Sequence, residues 1–251
     1  MLQSEQDSYE EHINTLFRKK GKNSRQRNRR HNKQHEQSYC LDLIEGQTEN
    51  QEIAFDEYYN NKNLVLHGCA GTGKTFIAMY LAMKELLSSN KRKKLIIVRS
   101  IVPTRDIGFL PGNEQEKLAV YEEPYKQIAA QLFTNYNAYK YFKSKQIIEF
   151  ISSSFIRGVT WDDSIILIDE MQNMTGHELD TIITRVGINS RLMLCGDYQQ
   201  SDLKSNGLLE ILNVLKRMNS IAHIEFDVED IVRSGFVKEY LIAKHRNKND
   251  R

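Results

Sequence analysis

Hydrophobic residues recur after about residue 46 in short runs that alternate with amphipathic stretches. The runs at 64–67, 95–99, 147–151, 165–168, 192–194 and 221–226 have the length and composition of buried strands. Helical periodicity lies between most of them, which is typical of repeated strand–helix units. The pattern therefore predicts an α/β fold in which a mainly parallel sheet is covered by helices on both faces.

Local signals add two helices and a loop to this pattern. Thr175, followed three residues later by Glu178, has the spacing of a capping box, so we expect a helix from there to Gly187. The stretch 101–113 holds two of the three prolines and predicts a shaped loop. A short amphipathic helix is predicted at 10–17, a length that is marginal for an isolated helix.

The composition of the chain is that of a globular protein and not of a membrane, secreted or zinc-binding protein. With 251 residues, 40% of them hydrophobic and 27% charged, the chain has the makeup of one globular domain. Its apolar runs fall far short of the roughly 18 residues that a membrane span needs, and its N-terminus lacks a hydrophobic signal core. Cys40, Cys69 and Cys195 match neither a disulfide framework nor a zinc site. We therefore expect a cytoplasmic protein with no membrane segment.

Charge is distributed unevenly along the chain. Residues 18–37 contain nine Lys/Arg and one Glu, a charge of +8, which leaves −6 on the remainder because the whole chain carries +2. The segment has no large apolar side chain to bury, so it is predicted to be disordered. Such a tail attracts nucleic-acid phosphates without regard to sequence. A solubility or tethering arm is the alternative interpretation.

The sequence GCAGTGKT at 68–75 matches G-x-x-x-x-G-K-[ST] in full and lies between a predicted strand and a predicted helix, as this P-loop motif requires. Glycines let consecutive backbone N–H groups surround phosphate oxygens, and the helix N-terminus adds partial positive charge. We expect Lys74 to bridge the outer phosphates and Thr75 to bind Mg²⁺. The predicted nucleotide-binding residues of the loop are Gly68, Cys69, Ala70, Gly71, Thr72, Gly73, Lys74, Thr75 and Phe76.

Two adjacent carboxylates follow the apolar run that precedes residue 169. Placing Asp169 and Glu170 side by side at the end of a buried strand is costly unless a cation lies opposite them. Together with the P-loop, they predict a hydrolytic site. Asp169 would hold hydrated Mg²⁺ together with Thr75, and Glu170 would orient or deprotonate the attacking water.

Two other classes of P-loop protein fit less well. A small GTPase would carry D-x-x-G after the metal strand, where this chain has EMQ after Asp169, and the N-K-x-D at 247–250 follows no predicted strand. Nucleotide kinases seldom place a water-activating carboxylate directly after the metal ligand, and 101–113 is too poor in arginine for a kinase lid. Hydrolysis is therefore favoured over phosphoryl transfer to an acceptor.

Further motifs resemble known families. The stretch at 192–203 resembles the G-D-x-x-Q motif of superfamily-one helicases, with Gln199 in the place of the residue that contacts the γ-phosphate. Such a contact couples hydrolysis to movement when the phosphate leaves. From about residue 50 to residue 241 the chain resembles the PhoH-like ATPases. The motifs in order are NQ at 50–51, GFLPG at 108–112, RG-x-T at 157–160, DE-x-QN at 169–173, TR-x-G at 184–187 and VR at 232–233.

Pattern and composition predict a domain at 46–245, between a basic N-terminal extension at 1–45 and a charged tail at 246–251, and the resemblance implies that it is a single RecA-like P-loop NTPase domain. It also implies ATP and Mg²⁺ as cofactors and an adenine contact from Gln51. Some relatives carry a fused PIN nuclease domain, for which residues 1–45 are too short and too basic.

The chain departs from the family pattern at three places. Cys69 stands where Pro is usual, an extra residue precedes Asp202, and the His-Pro common after the arginine at 233 is missing. These departures affect the detail of the loops and leave the order of the motifs intact.

The resemblance also bears on assembly and partners. A monomeric superfamily-one helicase has two RecA-like lobes, one of which supplies an arginine to the other. By analogy with the family we expect a homo-oligomeric ring, a hexamer, in which an arginine acts on the neighbouring site. The candidate arginines are Arg157, Arg185 and Arg233.

The expected partner of such a motor is RNA or single-stranded DNA. The basic tail would attract it, and Arg99, Arg105 and Phe109 lie on or beside the loop where such helicases touch a strand. The alternative is an ATP-dependent switch or scaffold without unwinding activity. Stimulation of hydrolysis by nucleic acid separates the two.

Overall fold

The structure, a computed structural model, describes residues 39–89, 91–101, 114–156, 158–197 and 207–249. The strands in these ranges are β1 (Asn63–Gly68), β2 (Lys94–Arg99), β3 (Ile148–Ser152), β4 (Ser164–Asp169), β5 (Arg191–Gly196) and β6 (Ile221–Phe226). The helices are α1 (Glu49–Tyr59), α2 (Lys74–Ser88), α3 (Glu114–Leu132), α4 (Ala138–Ser144), α5 (Gly176–Ile183), α6 (Leu208–Leu215) and α7 (Gly235–Asn249). All six predicted strands are confirmed, with ends that agree to within two residues and, for β6, coincide.

The six strands form a single sheet in the order β3-β2-β4-β5-β1-β6, and every neighbouring pair is parallel. The predicted α/β fold with a parallel sheet is therefore confirmed. In this order β5 lies between β1, which leads into the P-loop, and β4, which ends at Asp169. Because the strands are parallel, their carboxyl ends meet at one edge, and the P-loop and Asp169 share that edge.

Helices cover both faces of the sheet because the apolar residues of each strand alternate between them. Leu64 and Leu66 of β1 face a core formed with α1, α2, α3 and α4, whereas Val65 faces a second core formed with α5 and α6. In β4, Ile165 and Ile166 divide in the same way between the two cores. Burial on both faces explains why these strands read as continuous apolar runs in the sequence.

The capping box is confirmed. The Thr175 hydroxyl accepts a hydrogen bond from the Glu178 N–H, and the Glu178 carboxylate accepts one from the Thr175 N–H. The helix ends at Ile183, before the predicted end at Gly187. The chain turns there because Val186 forms a parallel bridge with Trp161, and Gly187 donates its N–H to the carbonyl oxygen of Trp161 at 2.9 Å.

The segment before α1 packs on the domain. Tyr39 and Leu41 are buried, and the Tyr39 ring stacks on Tyr141 with 4.0 Å between centroids. These residues precede the predicted boundary at residue 45, which stays a prediction. The helix predicted at 10–17, the basic segment 18–37 and most of the loop 101–113 lie outside the described residues. Within the described ranges, no helix is long and apolar enough to cross a membrane.

Candidate functional site

The P-loop follows β1 and ends at the first turn of α2. Gly68, Gly71 and Gly73 have positive φ angles of 113°, 83° and 83°, a region that L-residues with side chains rarely adopt. At Gly68 a Cβ atom would lie 2.0 Å from the carbonyl oxygen of Phe226, so this glycine is also required by the close approach of β6. The neighbouring Cys69 donates its N–H to the same oxygen at 2.8 Å, which fixes the start of the loop on β6.

Lys74 folds back over the loop. Its Nζ atom lies 2.9 Å from the carbonyl oxygen of Gly68 and 2.6 Å from that of Cys69, and both accept hydrogen bonds from it. Burial lowers the pKa of Lys74 from its usual value, while Cys195 and Asp197 act in the opposite direction. The ammonium group is thus held at the centre of the curled backbone, the position from which it can reach phosphate oxygens.

Thr75 and Asp169 meet across the sheet edge. The Thr75 hydroxyl donates a hydrogen bond to Oδ1 of Asp169 at 2.8 Å, although the residues are 94 positions apart in the sequence. Asp169 is 4% exposed, and burial, followed by the nearby Glu170, raises the pKa of its carboxyl above the usual range. The two residues predicted as magnesium ligands therefore lie together, in a position where a negative charge is costly without a cation.

The donor set at this edge suits Mg²⁺. Hydroxyl and carboxylate oxygens are the ligands that this hard cation prefers, and it usually completes its octahedron with water and substrate phosphates when the protein offers only one or two ligands. Gly68, Gly71 and Gly73 give the loop backbone its positive-φ turns, which let its N–H groups curl around phosphate oxygens. Thr75, Asp169 and the loop together fit a nucleoside triphosphate with its magnesium ion.

Tyr125 and Arg99 also act on the Asp169 carboxylate, Tyr125 through a hydrogen bond and Arg99 through its charge, and neither residue was predicted as part of the metal site. The fully buried Tyr125 donates its hydroxyl to Oδ2 of Asp169 at 2.8 Å. Arg99 ends β2 directly opposite Asp169 in the strand register. Burial alone would lower the pKa of Arg99, but Tyr125 and then Asp169 raise it, so the guanidinium stays charged beside the carboxylate.

Glu170 stands at the turn that follows β4, with a left-handed backbone at φ 53°. Gln172 donates its side-chain amide to the Glu170 carboxylate and accepts the N–H of Asp197 on its Oε1 at 3.0 Å. Gly196 makes room for this bridge, because a Cβ atom there would lie 2.4 Å from the Gln172 oxygen. Gln172 therefore orients Glu170 and ties the ends of β4 and β5 together.

The Asn50–Gln51 pair supports the loops from α1. Gln51 donates its amide to the carbonyl oxygen of Thr72 at 2.8 Å and accepts the N–H of Gln47 at 2.9 Å. Asn50 donates to the buried carboxylate of Asp230 at 2.7 Å, in the segment that follows β6. In this structure both ends of the Gln51 amide bond to the protein, and its predicted contact with adenine stays a prediction.

The predicted arginines fall in different places. Arg233 is exposed beside the P-loop, and a Cβ atom on Gly71 would lie 3.1 Å from its Cγ atom. Arg185 lies at the opposite end of the sheet, where its carbonyl oxygen accepts the N–H of Trp161 just before β4. Arg185 therefore lies far from the P-loop of its own chain. Arg157 and Gln199 lie outside the described residues.

Comparison with known proteins gives consistent matches. A family model described as "PhoH-like protein" matches residues 43–244. "Protein PhoH2" of Bacillus subtilis (strain 168) is 40% identical over 182 residues, which cover 70% of this chain and 39% of that protein. A "PhoH-like protein" of the same strain is 34% identical over 181 residues, covering 70% of this chain and 56% of that one. "Protein PhoH" of Escherichia coli (strain K12) is 30% identical, covering 70% and 51%. The matched part thus spans about half the length of these relatives, or less.

Solved structures of similar shape are more distant. The large terminase from a thermophilic bacteriophage, in complex with ADP, is 12% identical, with a TM-score of 0.49 over 77% of this chain and 48% of that one. The UvsW helicase from bacteriophage T4 is 14% identical, with a TM-score of 0.44 over 73% and 60%. Both likenesses concern the fold alone.

Proposed function

This chain belongs to the PhoH-like protein family, and we propose that it binds ATP with Mg²⁺ at the P-loop and hydrolyses it. The observation that carries the proposal is the 2.8 Å contact between the Thr75 hydroxyl and Oδ1 of Asp169. It joins the start of α2 to the end of β4 beside the curled backbone of residues 68–73. This contact supports a phosphate cradle and a pair of oxygen ligands for Mg²⁺ at one edge of the sheet.

Each residue of the site has a role that follows from its position. The loop N–H groups and Lys74 would hold the β- and γ-phosphates, and Thr75 and Asp169 would hold Mg²⁺. The ion, when bound, supplies charge neutralisation at the phosphate oxygens. Thr75 lies in the first turn of α2, so the partial positive charge of the helix N-terminus also points at this place.

Glu170 is the proposed catalytic base. It follows Asp169 directly and is half-buried, and its carboxylate is held by the Gln172 amide. We assign it the task of orienting a water molecule and accepting its proton as the bond between the γ-phosphorus and its bridging oxygen breaks, which yields ADP and phosphate. Gln199 would sense the γ-phosphate from the segment that follows Asp197.

We further propose that the chain assembles into a homo-oligomeric, hexameric ring. This ring would use ATP hydrolysis to act on RNA or single-stranded DNA as a helicase-like motor. The +8 segment at 18–37 supports a nucleic-acid partner, and a ring would allow Arg185, which lies far from its own P-loop, to act on a neighbour. Arg233 beside Gly71 is the candidate for action within one chain. An ATP-dependent switch or scaffold without unwinding activity is the second candidate, because the described residues form one NTPase lobe.

Steady-state ATP hydrolysis by the purified chain tests the proposal. It is measured with and without single-stranded RNA and DNA, and the mass is determined by light scattering. Lys74→Ala should abolish nucleotide binding, and Glu170→Gln should keep binding while lowering the rate by about 100-fold or more. Lys94→Ala is the matched control. It removes a half-exposed lysine at the amino-terminal end of β2, far from the P-loop, where Lys94 pairs with Glu149 of β3.

The outcomes separate the alternatives. Stimulation by one polymer together with a ring-sized mass supports a nucleic-acid motor and identifies its substrate. Hydrolysis that neither polymer changes favours the switch or scaffold. Absence of Mg²⁺-dependent hydrolysis in all conditions overturns the role of Glu170.

A further inference from the structure

The carboxylate of Asp169 is held from two sides. Its Oδ1 atom accepts the Thr75 hydroxyl at 2.8 Å, and its Oδ2 atom accepts the Tyr125 hydroxyl at 2.8 Å. The first contact comes from the start of α2 and the second from the middle of α3. A carboxylate that is bonded at both oxygens cannot rotate about its Cβ–Cγ bond without breaking one of these hydrogen bonds.

The position of Tyr125 is fixed by packing. The residue has no exposed surface, belongs to the core that covers one face of the sheet, and places its ring 5.7 Å from that of Phe150 on β3. The hydroxyl of a buried tyrosine usually finds a hydrogen-bond partner, and here the carboxylate at the end of β4 accepts from it. The contact joins residues 44 positions apart and is buried throughout.

Arg99 completes the arrangement. It lies opposite Asp169 in the β2–β4 register, and its guanidinium is 5.9 Å from the ring centroid of Tyr121, one turn before Tyr125 on α3. A charged guanidinium beside the carboxylate offsets part of the cost of burying Asp169. Arg99 therefore offsets the charge of the Asp169 carboxylate, and Tyr125 fixes its orientation through a hydrogen bond.

We propose that Tyr125 is a positioning residue of the nucleotide site, which fixes Asp169 so that Oδ1 faces Thr75 and the magnesium ion. This inference rests on the proposed ATP- and Mg²⁺-dependent function. It assigns to α3 an indirect part in metal binding, because Tyr125 would act on the metal only through Asp169. Outer hydrogen-bond partners of this kind typically contribute about tenfold or more to metal affinity.

The variant Tyr125→Phe tests the proposal because it deletes one oxygen and keeps the ring in the core. Binding of a fluorescent, non-hydrolysable ATP analogue to the full chain is measured in EDTA and across a Mg²⁺ titration. The variant should need about tenfold more Mg²⁺ than the unmodified chain, with the same affinity for the analogue in EDTA. Thermal unfolding is recorded alongside, and the melting temperature should stay within a few degrees of the original value.

Tyr139→Phe is the matched control. Tyr139 on α4 is 2% exposed in the same core, and its hydroxyl lies near Glu122 instead of Asp169. This variant should show an unchanged Mg²⁺ requirement. A raised requirement in Tyr125→Phe alone supports the inference.

Four results count against it. An unchanged Mg²⁺ requirement in Tyr125→Phe, or an equal rise in Tyr139→Phe, overturns the positioning role. A loss of affinity in EDTA as large as that in Mg²⁺ also overturns it, because the hydroxyl would then support the loop instead of the metal side. If the unmodified chain shows no Mg²⁺-dependent binding of the analogue, the proposed function itself fails, and the inference fails with it.

Discussion

Gln172 accepts a hydrogen bond from the backbone N–H of Asp197 at 3.0 Å, so the turn after β4 is fastened to the end of β5. The other end of the same amide donates to Glu170. One uncharged side chain therefore sets the direction of the proposed base and the exit of the neighbouring strand. Removing this amide should therefore disturb the position of Glu170 and leave the P-loop unchanged, because Gln172 makes its hydrogen bonds to Glu170 and Asp197 and not to the loop.

Replacing Gln172 with alanine should lower ATP hydrolysis by about tenfold or more while nucleotide binding stays near its original value, since the variant frees Glu170 and leaves the P-loop intact. Single-turnover hydrolysis and equilibrium binding of a fluorescent nucleotide check the two parts. Asp180→Ala, at an exposed position of α5, is the control and should change neither. Equal losses of binding and hydrolysis in Gln172→Ala would show that the amide supports the loop instead.

The stability of the fold should depend on pH through the buried carboxylate of Glu85. It pairs with Arg191 at 2.9 Å and with Arg92, and it accepts the Tyr58 hydroxyl at 2.6 Å. Burial alone would raise the pKa of Glu85, but the Tyr58 hydrogen bond and the two arginines lower it overall. A carboxyl with a lowered folded-state pKa stabilises the fold fully above its unfolded pKa of about 4.3, and this stabilisation is lost as the pH falls through the folded pKa.

Glu85→Gln should therefore lower the free energy of unfolding by about 3 kcal/mol at pH 7, because two buried arginines lose their partner, and by clearly less at about pH 3. Urea unfolding at the two pH values measures the difference. Glu149→Gln, which breaks the half-exposed pair with Lys94, should change stability by less than about 0.5 kcal/mol at either pH. A deficit in Glu85→Gln that is the same at both pH values would contradict this account.

Gly68→Ala should destabilise the domain severely. The new Cβ atom would stand 2.0 Å from the carbonyl oxygen of Phe226, on a backbone with a φ angle that disfavours alanine. We expect a loss of about 3 kcal/mol or more, or failure to fold. Gly235→Ala meets no atom within 4 Å and should stay within about 0.5 kcal/mol of the original. Thermal unfolding of both variants provides the comparison, and a mild effect at Gly68 would mean that β6 moves away at little cost.

Asn50 and Asp230 form a link between α1 and the segment after β6, with 2.7 Å between the amide nitrogen and the carboxylate. Asn50→Ala should lower the free energy of unfolding by about 1.5 kcal/mol, the range of a hydrogen bond to a charged group. A double-mutant cycle with Asp230→Ala should show coupling, so the double variant loses less than the sum of the singles. If the losses of the two single variants simply add in the double variant, the hydrogen bond between Asn50 and Asp230 does not contribute to stability. Asn60→Ala, at the exposed end of α1, serves as the neutral control.

The strands and the capping box were predictable because each is a local pattern. A strand such as β4, buried on both faces, must be a continuous apolar run, and the Thr175–Glu178 pair satisfies the helix N-terminus within one turn. The meeting of Thr75 and Asp169 also followed from the sequence, since parallel strands bring their carboxyl ends to one edge.

Tyr125 was not predictable in the same way. Its helix has a weak apolar stripe, and nothing in the pattern shows which buried tyrosine of α3 or α4 reaches the sheet edge. Its contact with Asp169 depends on how α3 packs on this face of the sheet, which is set by tertiary packing and not by a local pattern. The bridge made by Gln172 likewise depends on the strand order, because β5 must lie next to β4 for Asp197 to be in reach.

The charged cluster of Glu85, Arg92, Arg191 and Tyr58 lies at the amino-terminal ends of the strands, whereas the P-loop, Asp169 and Glu170 lie at the carboxyl ends. The two ends are separated by the full length of a six-residue strand. Outside the glycines that shape the P-loop, substitutions in the loops that follow the strands should therefore change substrate preference and leave the stability of the scaffold near its original value. In laboratory evolution of this chain, gains of new specificity and gains of thermal tolerance should accumulate at opposite ends of the sheet and combine with little mutual interference.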